Sequence, residues 1–485
     1  MQIDWNELHK YRENNRVEAK KAVGGLPRSI WETYSSFANT VGGFILLGVE
    51  EQEDKSLRAV ELPDPEKLVT DFWNTINDRQ KVNVNILTNK NVYIVEADGH
   101  RIVVIEVPRA DRRDRPIYIG ADPFAGSYRR NGEGDYHCTK DEVRNMMRDQ
   151  SDVSQDLRVL EQLDLDAFDY ESVRRYRNRL QNLRPDHVWE NLEHIPFLQK
   201  MGCVGRAESG TLHPTAAGIL MFGFEYEIVK EFPAYFLDYQ EHDDETTRWT
   251  DRVVSNLGDW SGNIFDFYYR ICNRIAHDAK TPFKLNGITR IDDTPVHKAL
   301  REALANALIH ANYYDRRGLV IHRYPKKVII ANPGSLRVSI SDAVSGFSDP
   351  RNNTLVKLFN LVGIGERAGS GVPNIYAVWK NEGWQEPKLE EQFNPGRTIL
   401  SLMLSPQDNR KVAIKSGDKI KVAISEVKKK AIVDYLSEHG SCKASELSEL
   451  LEVNASRTKV YLKELIADNL VIADGANRNR TYRLK

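Results

Sequence analysis

Apolar positions along this chain recur with two periods, and the changes of period mark its elements. Ile30, Tyr34, Phe37 and Ala38 share one face of a helix predicted over 30–39, which Gly42 and Gly43 end as residues tolerant of left-handed backbone. Residues 44–49 form an almost unbroken apolar run, predicting a buried strand with Glu50 and Glu51 just past its end. Further strands are predicted at 92–96, 102–107, 116–120 and 127–130. From Ser151 to Gly223 the spacing turns mostly helical and closes with a helix led by Thr215. The stretch REALANALIHANYY, 301–314, is again helical and places Glu302, Asn306 and His310 at strict four-residue spacing on one stripe, with Ala and Leu behind. Two β-branched segments follow, broken by Pro325-Lys326-Lys327, and read as a hairpin closing on the Asn332-Pro333-Gly334 turn.

Towards the end, 405–425 reads as a basic tether carrying KVAI twice, at 411–414 and 421–424. Residues 426–485 predict three helices and a two-stranded wing. The first helix is ended by Gly440, the second capped by Ser441, the third N-capped by Asn454, and the wing turns over 475–477. In such an arrangement the third helix enters the major groove of duplex DNA. Ser456, Arg457, Lys459 and Lys463 are the candidates for base contacts, and Arg478, Arg480 and Arg483 for phosphates.

Composition narrows the picture. At 485 residues, with domains of ~100–200 residues, the chain is expected to hold three or four of them. It is 41% hydrophobic and 28% charged, as folded domains are. A formal charge of −2 excludes a global positive field, so nucleic-acid binding must come from local patches. The segment from Ser405 onward sums to about +5. Four well-separated cysteines without C-x-x-C indicate neither a zinc ribbon nor a disulfide framework. The polar start and the lack of an apolar run long enough to span a bilayer predict a cytoplasmic protein that does not engage a membrane.

The Glu302–Asn306–His310 stripe suits a nucleotide with its metal: a carboxylate to orient water and an amide oxygen for Mg2+. The alternative is the polar face of an ordinary amphipathic helix. Downstream, Gly363, Gly365, Gly369 and Gly371 cluster before another predicted helix, where backbone N–H groups and the helix dipole favour phosphate. The motifs REALANALIHANYY, NPGSL and GIGERAGSGVPNIY resemble the GHKL-like ATP-binding domain of bacterial proteins labelled RecG-like C-terminal or as transcriptional regulators. The resemblance implies an α/β sandwich with ATP under a lid. It makes Glu302 and Asn306 the acid and metal-binding Asn, and Gly369, Ser370 and Gly371 the lid glycine box. His310, Asn332 and Gly334 complete the expected nucleotide site. GHKL ATPases read adenine with an Asp in a D-x-G-x-G element, and this chain has Asn332-Pro333-Gly334 at that turn.

The motifs VEAKK, SSFANTVGGFILLGVEE, RPIYIG and YRRNGEGDYHCTKDEV, in that order over about 10–145, resemble the Schlafen AlbA-type domain. Some members are metal-dependent nucleases of RNA or single-stranded DNA. The resemblance places their three acids at Glu13, Glu18 and Glu50, holding Mg2+ or Mn2+, with Lys20 beside them to steady developing charge. The alternative is that these are surface residues flanking a strand. Arg109, Arg112, Arg113 and Arg115 form a basic run, and Arg129 and Arg130 adjoin Tyr128, so phosphate contact with aromatic stacking is expected. The competing account is a solvated loop partly neutralised by Asp111 and Asp114.

The expectation is therefore a multi-domain α/β (α+β) protein. Its parts are an AlbA-type domain (1–150), a mainly helical connector (151–245), a GHKL-like domain (246–404), a basic linker (405–425) and a winged helix (426–485). The expected function is a nucleotide-responsive, homodimeric DNA-binding transcriptional regulator. The alternatives are a Schlafen-like nuclease acting in phage defence, with ATP as a sensed ligand, and an oligomeric scaffold with a vestigial ATP site.

Overall fold

The strand Gly43–Leu47 is apolar at every position after its glycine, because it is covered on both faces. Alternate side chains point to opposite sides of a strand. Ile45 and Leu47 join a core with Tyr34 and Phe37 of the helix Ile30–Asn39, while Phe44 and Leu46 join another with Leu8 and Val17. The sheet runs Val17–Lys20, Gly43–Leu47, His100–Val107, Val92–Ala97; the first pair is parallel and the others antiparallel. Gly42, at φ +73°, turns the chain from helix to strand, and a Cβ there would lie 2.8 Å from the Val107 carbonyl oxygen.

The computed structural model describes residues 3–244, 246, 248–277, 285–286, 289–290, 294–365, 370–393, 396–406, 431–433, 435–437, 439–451, 455–467, 470–474 and 480–485. They fall into two units, Met1–Pro406 and Gln407–Lys485.

In the first unit a second sheet of six strands runs Asp251–Val254, Leu237–Glu241, Leu319–Tyr324, Lys327–Pro333, Arg397–Met403, Lys388–Gln392. The expected hairpin is its centre, with Ile321 opposite Ile330. The helix Pro295–His310 packs on Lys327–Pro333 and on the helices Asn353–Leu361 and Gly371–Asn381. A single hydrophobic core extends from Leu160 to Leu404. The expected boundary at 245 therefore falls inside one core: Leu237–Glu241, from the connector, pairs in parallel with Leu319–Tyr324. The predicted strand at 116–120 makes only isolated bridges, Tyr118 to Ser127 and Val82 to Ile119.

In the second unit Ser441–Lys443 pairs with Thr481–Leu484, which pairs with Val471–Asp474. The helices Ala444–Leu450 and Ala455–Ala467 pack together around Leu447, Leu462 and Leu465. Ser441 is thus the first residue of a short strand and not a helix cap; the second helix starts at Ala444. Asn454, the 475–477 turn and the KVAI repeats lie outside the described residues.

Candidate functional site

Beneath the helix Pro295–His310 the second sheet leaves a cavity of about 120 Å³. Its walls are apolar where Ala303, Ala307, Ile330, Val338, Leu389 and Leu400 meet; its polar groups are Asn306, His310, Asn332 and Thr398, with Arg337, Ser348 and Asp349 towards the mouth. Such a composition, apolar with a few convergent polar groups, marks a ligand site. The expected stripe delivers two of these groups. Asn306 donates from Nδ2 to Glu302 Oε1 at 3.3 Å, while its Oδ1 has no partner among the described residues. Burial pushes the His310 imidazole down to about pKa 4, with Arg351 and Arg337 acting in the same direction, so at neutral pH it is uncharged.

Asn332, at the end of its strand, is buried and lines the cavity. Its amide makes no hydrogen bond among the described residues, which leaves it available to a group in the cavity. Gly334 (φ +91°) then turns the chain, and a Cβ there would lie 2.7 Å from Asn312 Cβ. Gly371 opens the helix Gly371–Asn381 directly against the stripe: a Cβ on it would lie 2.6 Å from Asn306 Nδ2. Ser370 is the residue before that helix; Gly369 lies outside the described residues. Arg337, Val338, Phe347, Ser348 and Asp349 also line an adjoining cleft of about 520 Å³, so the cavity has a wide polar mouth.

The acids of the first sheet are arranged differently. Glu18 is buried on Val17–Lys20, its Oε1 2.7 Å from Lys20 Nζ and its Oε2 2.8 Å from Arg130 Nη2. Glu13 Oε1 accepts from the Ala19 amide at 3.0 Å. Burial raises its carboxyl, the Ala19 N–H opposes this, and Glu18 and Glu51 add to the rise. Glu50, beyond the Gly48 turn, is 2.8 Å from Lys21 Nζ, whose hydrogen bond holds its carboxyl below the usual range. Among the described residues no three acidic, histidine or cysteine side chains gather to hold a metal ion.

The basic candidates require a correction. Arg112 is buried, 2.5 Å from Asp349 through Nε and bonded to the Asp149 carbonyl at 2.7 Å. Arg109 pairs with Glu391 and donates to the Leu336 carbonyl at 2.7 Å. Arg130 is buried between Glu18 and Asp135, which itself accepts from Thr33 and Ser36. Arg129 lies 3.3 Å from Glu142. These guanidinium groups face partners inside the protein and not solvent phosphate, although Arg129 keeps Nε and Nη1 buried without a hydrogen-bond acceptor. Arg113 remains exposed, 3.2 Å from Asp152.

In the second unit Arg480 is exposed, its guanidinium 5.7 Å over the Tyr482 ring, and Arg483 pairs with Asp474. Arg478 and the side chains of Arg457 and Lys459 lie outside the described residues. Among the described residues no helix is long and apolar enough to cross a membrane.

Two groups escaped sequence reasoning. Asp149 binds Arg351 through both oxygens, at 2.9 and 2.8 Å, and Arg351 also donates to the His310 carbonyl at 2.9 Å and the Ser335 carbonyl at 3.1 Å. One guanidinium thus ties the helix Lys140–Gln150 to the end of the helix carrying the stripe. No local pattern reveals this pair, because its members lie 202 residues apart.

Residues 13–139 match the family described as "Schlafen, AlbA_2", and 317–400 match "Putative ATP-dependent DNA helicase recG C-terminal". Residues 144–238 match a domain of unknown function, DUF8451. Among solved structures, the DIP2311 protein of Corynebacterium diphtheriae is 17% identical, covering 97% of this chain and 95% of its own, with a TM-score of 0.39. The N-terminal domain of a RecG-related protein of Nitrosomonas europaea is 34% identical, covering 27% of this chain and 89% of its own, with a TM-score of 0.22. No curated protein matches the chain.

Proposed function

We propose that this chain, which joins a Schlafen AlbA_2 domain over 13–139 to a RecG C-terminal-type domain over 317–400, is a nucleotide-responsive nucleic-acid-binding protein. The observation that carries the nucleotide half is Asn332, buried beside an apolar cavity with its amide unused. An aspartate only accepts hydrogen bonds, whereas an amide both accepts and donates. Asn332 therefore suits the adenine edge, with its donor and acceptor side by side, and guanine equally well. At about 120 Å³ the cavity takes a ring rather than a whole nucleotide, so ribose and phosphates lie outside it, towards Asn306 and the start of the helix Gly371–Asn381. Asn306 Oδ1 is the group to meet a Mg2+ carried by the phosphates.

Nucleic acid is assigned to the second unit, read as a winged helix, since the basic side chains 109–130 are mostly spent inside the first. Duplex DNA, transcriptional control and a homodimer complete the reading. Glu18 is held by Lys20 and Arg130, which favours a binding role for the AlbA_2 domain over cleavage. Nucleotide would act by favouring one arrangement of the elements around its cavity, which then biases DNA affinity.

The test is calorimetric titration of the full chain with ATP and GTP, beside Asn332→Ala, followed by band shifts on duplex DNA with and without ATP. Both nucleotides should bind, and Asn332→Ala should weaken both by roughly tenfold or more, the loss of two buried hydrogen bonds. Absence of binding at millimolar nucleotide, or unchanged affinity in the variant, would refute the reading.

A further inference from the structure

A second cavity, of about 60 Å³, lies inside the first unit, between the AlbA_2 domain and the second sheet. Its lining includes Arg115 and Arg129 from one side and Ser335 and Arg351 from the other. Arg115 is 4% exposed, and its guanidinium makes no hydrogen bond or ion pair among the described residues. Asp149 and Glu391 act on its charge through space, but a buried donor left without an acceptor still costs about 1–3 kcal/mol. Proteins retain such a group when something meets it.

The hydrogen-bond balance of the cavity shows what is missing. Its acceptors are already engaged. Asp149 is held by Arg351 through both oxygens. Asp315 accepts from Asn145 at 3.2 Å and from the Arg316 amide at 2.7 Å. Glu142 faces Arg129 at 3.3 Å and accepts from the Thr139 amide at 2.6 Å. Asn39 accepts from the Ile117 amide at 2.8 Å. Donors are left over: Arg115 Nε and Arg129 Nη1 are buried without a hydrogen-bond acceptor, and Arg129 Nε lies 3.3 Å from Glu142 without a hydrogen bond to it. The Ser335 hydroxyl has no partner among the described residues. What the cavity lacks is a compact group made only of acceptors.

We propose that this cavity binds a free inorganic oxyanion of phosphate size, held by the guanidinium forks of Arg115 and Arg129 and by Ser335. Planar forks with several N–H donors match the oxygens of a tetrahedral anion. The volume sets the size: a water needs roughly 10–15 Å³ of such space, so about 60 Å³ admits a phosphate and excludes a nucleotide. Burial lowers Arg115 to about pKa 9, with Arg109 next in the same direction, yet it stays charged at neutral pH. Because the walls come from both domains, the anion also fastens them together. The site is separate from the nucleotide cavity and does not depend on that assignment.

The test is equilibrium dialysis of the full chain against radiolabelled phosphate at constant ionic strength, with Arg115→Met, Arg115→Lys and Asn306→Ala. The expected result is one saturable site per chain, weakened roughly tenfold or more by Arg115→Met and kept by Asn306→Ala. Arg115→Lys keeps the charge but loses the fork, and should fall between wild type and Arg115→Met; it stands in if the methionine variant does not fold. No saturable binding by the wild type would mean that the cavity holds only water, overturning the proposal. Undiminished binding in both Arg115 variants would place the phosphate elsewhere, and loss of binding in Asn306→Ala would place it in the nucleotide cavity; either would also overturn the proposal.

Discussion

Asp149→Asn is the perturbation that most directly tests how the first unit is held together. Burial alone would raise the Asp149 carboxyl, but Arg351, bonded to it, and then Arg337 and Arg115 hold it below the usual range. The side chains of the pair are 10% and 3% exposed, and the two bonds measure 2.9 and 2.8 Å. The substitution removes the charge and turns an N–H2 towards a guanidinium that has only donors. Each charged hydrogen bond contributes ~1.5–3 kcal/mol, and breaking a buried pair costs roughly 3–5 kcal/mol. The expected loss is therefore about 3–5 kcal/mol in urea unfolding followed by tryptophan fluorescence, since Trp379 is buried in the same core. A cycle with Arg351→Gln should give a coupling of at least ~2 kcal/mol, because each single change strands the other partner. A variant within ~0.5 kcal/mol of wild type would refute the argument, as that is the range of an unremarkable surface change.

His310 gives a pH signature. The unfolded chain takes up a proton near pH 6.5, while the folded imidazole, depressed by burial and then by Arg351 and Arg337, does not do so until about pH 4. Its contribution is complete above pH 6.5 and is lost as pH falls through that window. The shift corresponds to about 3 kcal/mol, and urea titrations from pH 7 to 4 should flatten correspondingly in His310→Gln. Gly371→Ala should leave the melting temperature nearly unchanged, because the added Cβ meets only the flexible ends of Glu302 and Asn306. It should nonetheless displace Asn306 and weaken ATP binding in the calorimeter; unchanged affinity would remove Asn306 from the site.

What the sequence made legible was local. The four-residue spacing of Asn306 and His310 does place both on one cavity wall, and the hairpin and the helix at Gly371 lie where turn chemistry and glycine spacing predict them. Asn332 was visible as a departure from an aspartate turn. What was not legible depends on partners distant in the chain. The run Arg109 to Arg115 has the composition of a phosphate-binding loop, but Arg112 meets Asp349 and Arg109 meets Glu391, 237 and 282 residues away. Arg130 likewise meets Glu18 at a separation of 112. Ser441 has the chemistry of a helix cap, but its pairing with Arg483 makes it strand.

The spent arginines change where signal transfer must be sought. Had they faced solvent, nucleic acid on the first sheet would have been the simplest route by which nucleotide and nucleic acid sense each other. Instead Arg109, Arg112 and Arg351 bind the elements that line the proposed nucleotide cavity and its mouth: Leu336, Asp349 and the end of the helix Pro295–His310. A group entering that cavity pushes on residues already clamped by the AlbA_2 domain, and packed, ion-paired elements of this kind tend to shift between discrete arrangements rather than deform gradually. The clamp is therefore the physical candidate for coupling. By linkage, an uncoupled clamp must reduce the effect of ATP on DNA affinity and the effect of DNA on ATP affinity by the same factor. Asp149→Asn, measured at a urea concentration where it remains folded, should show both reductions together; coupling equal to that of the wild type would mean that the clamp only stabilises the fold.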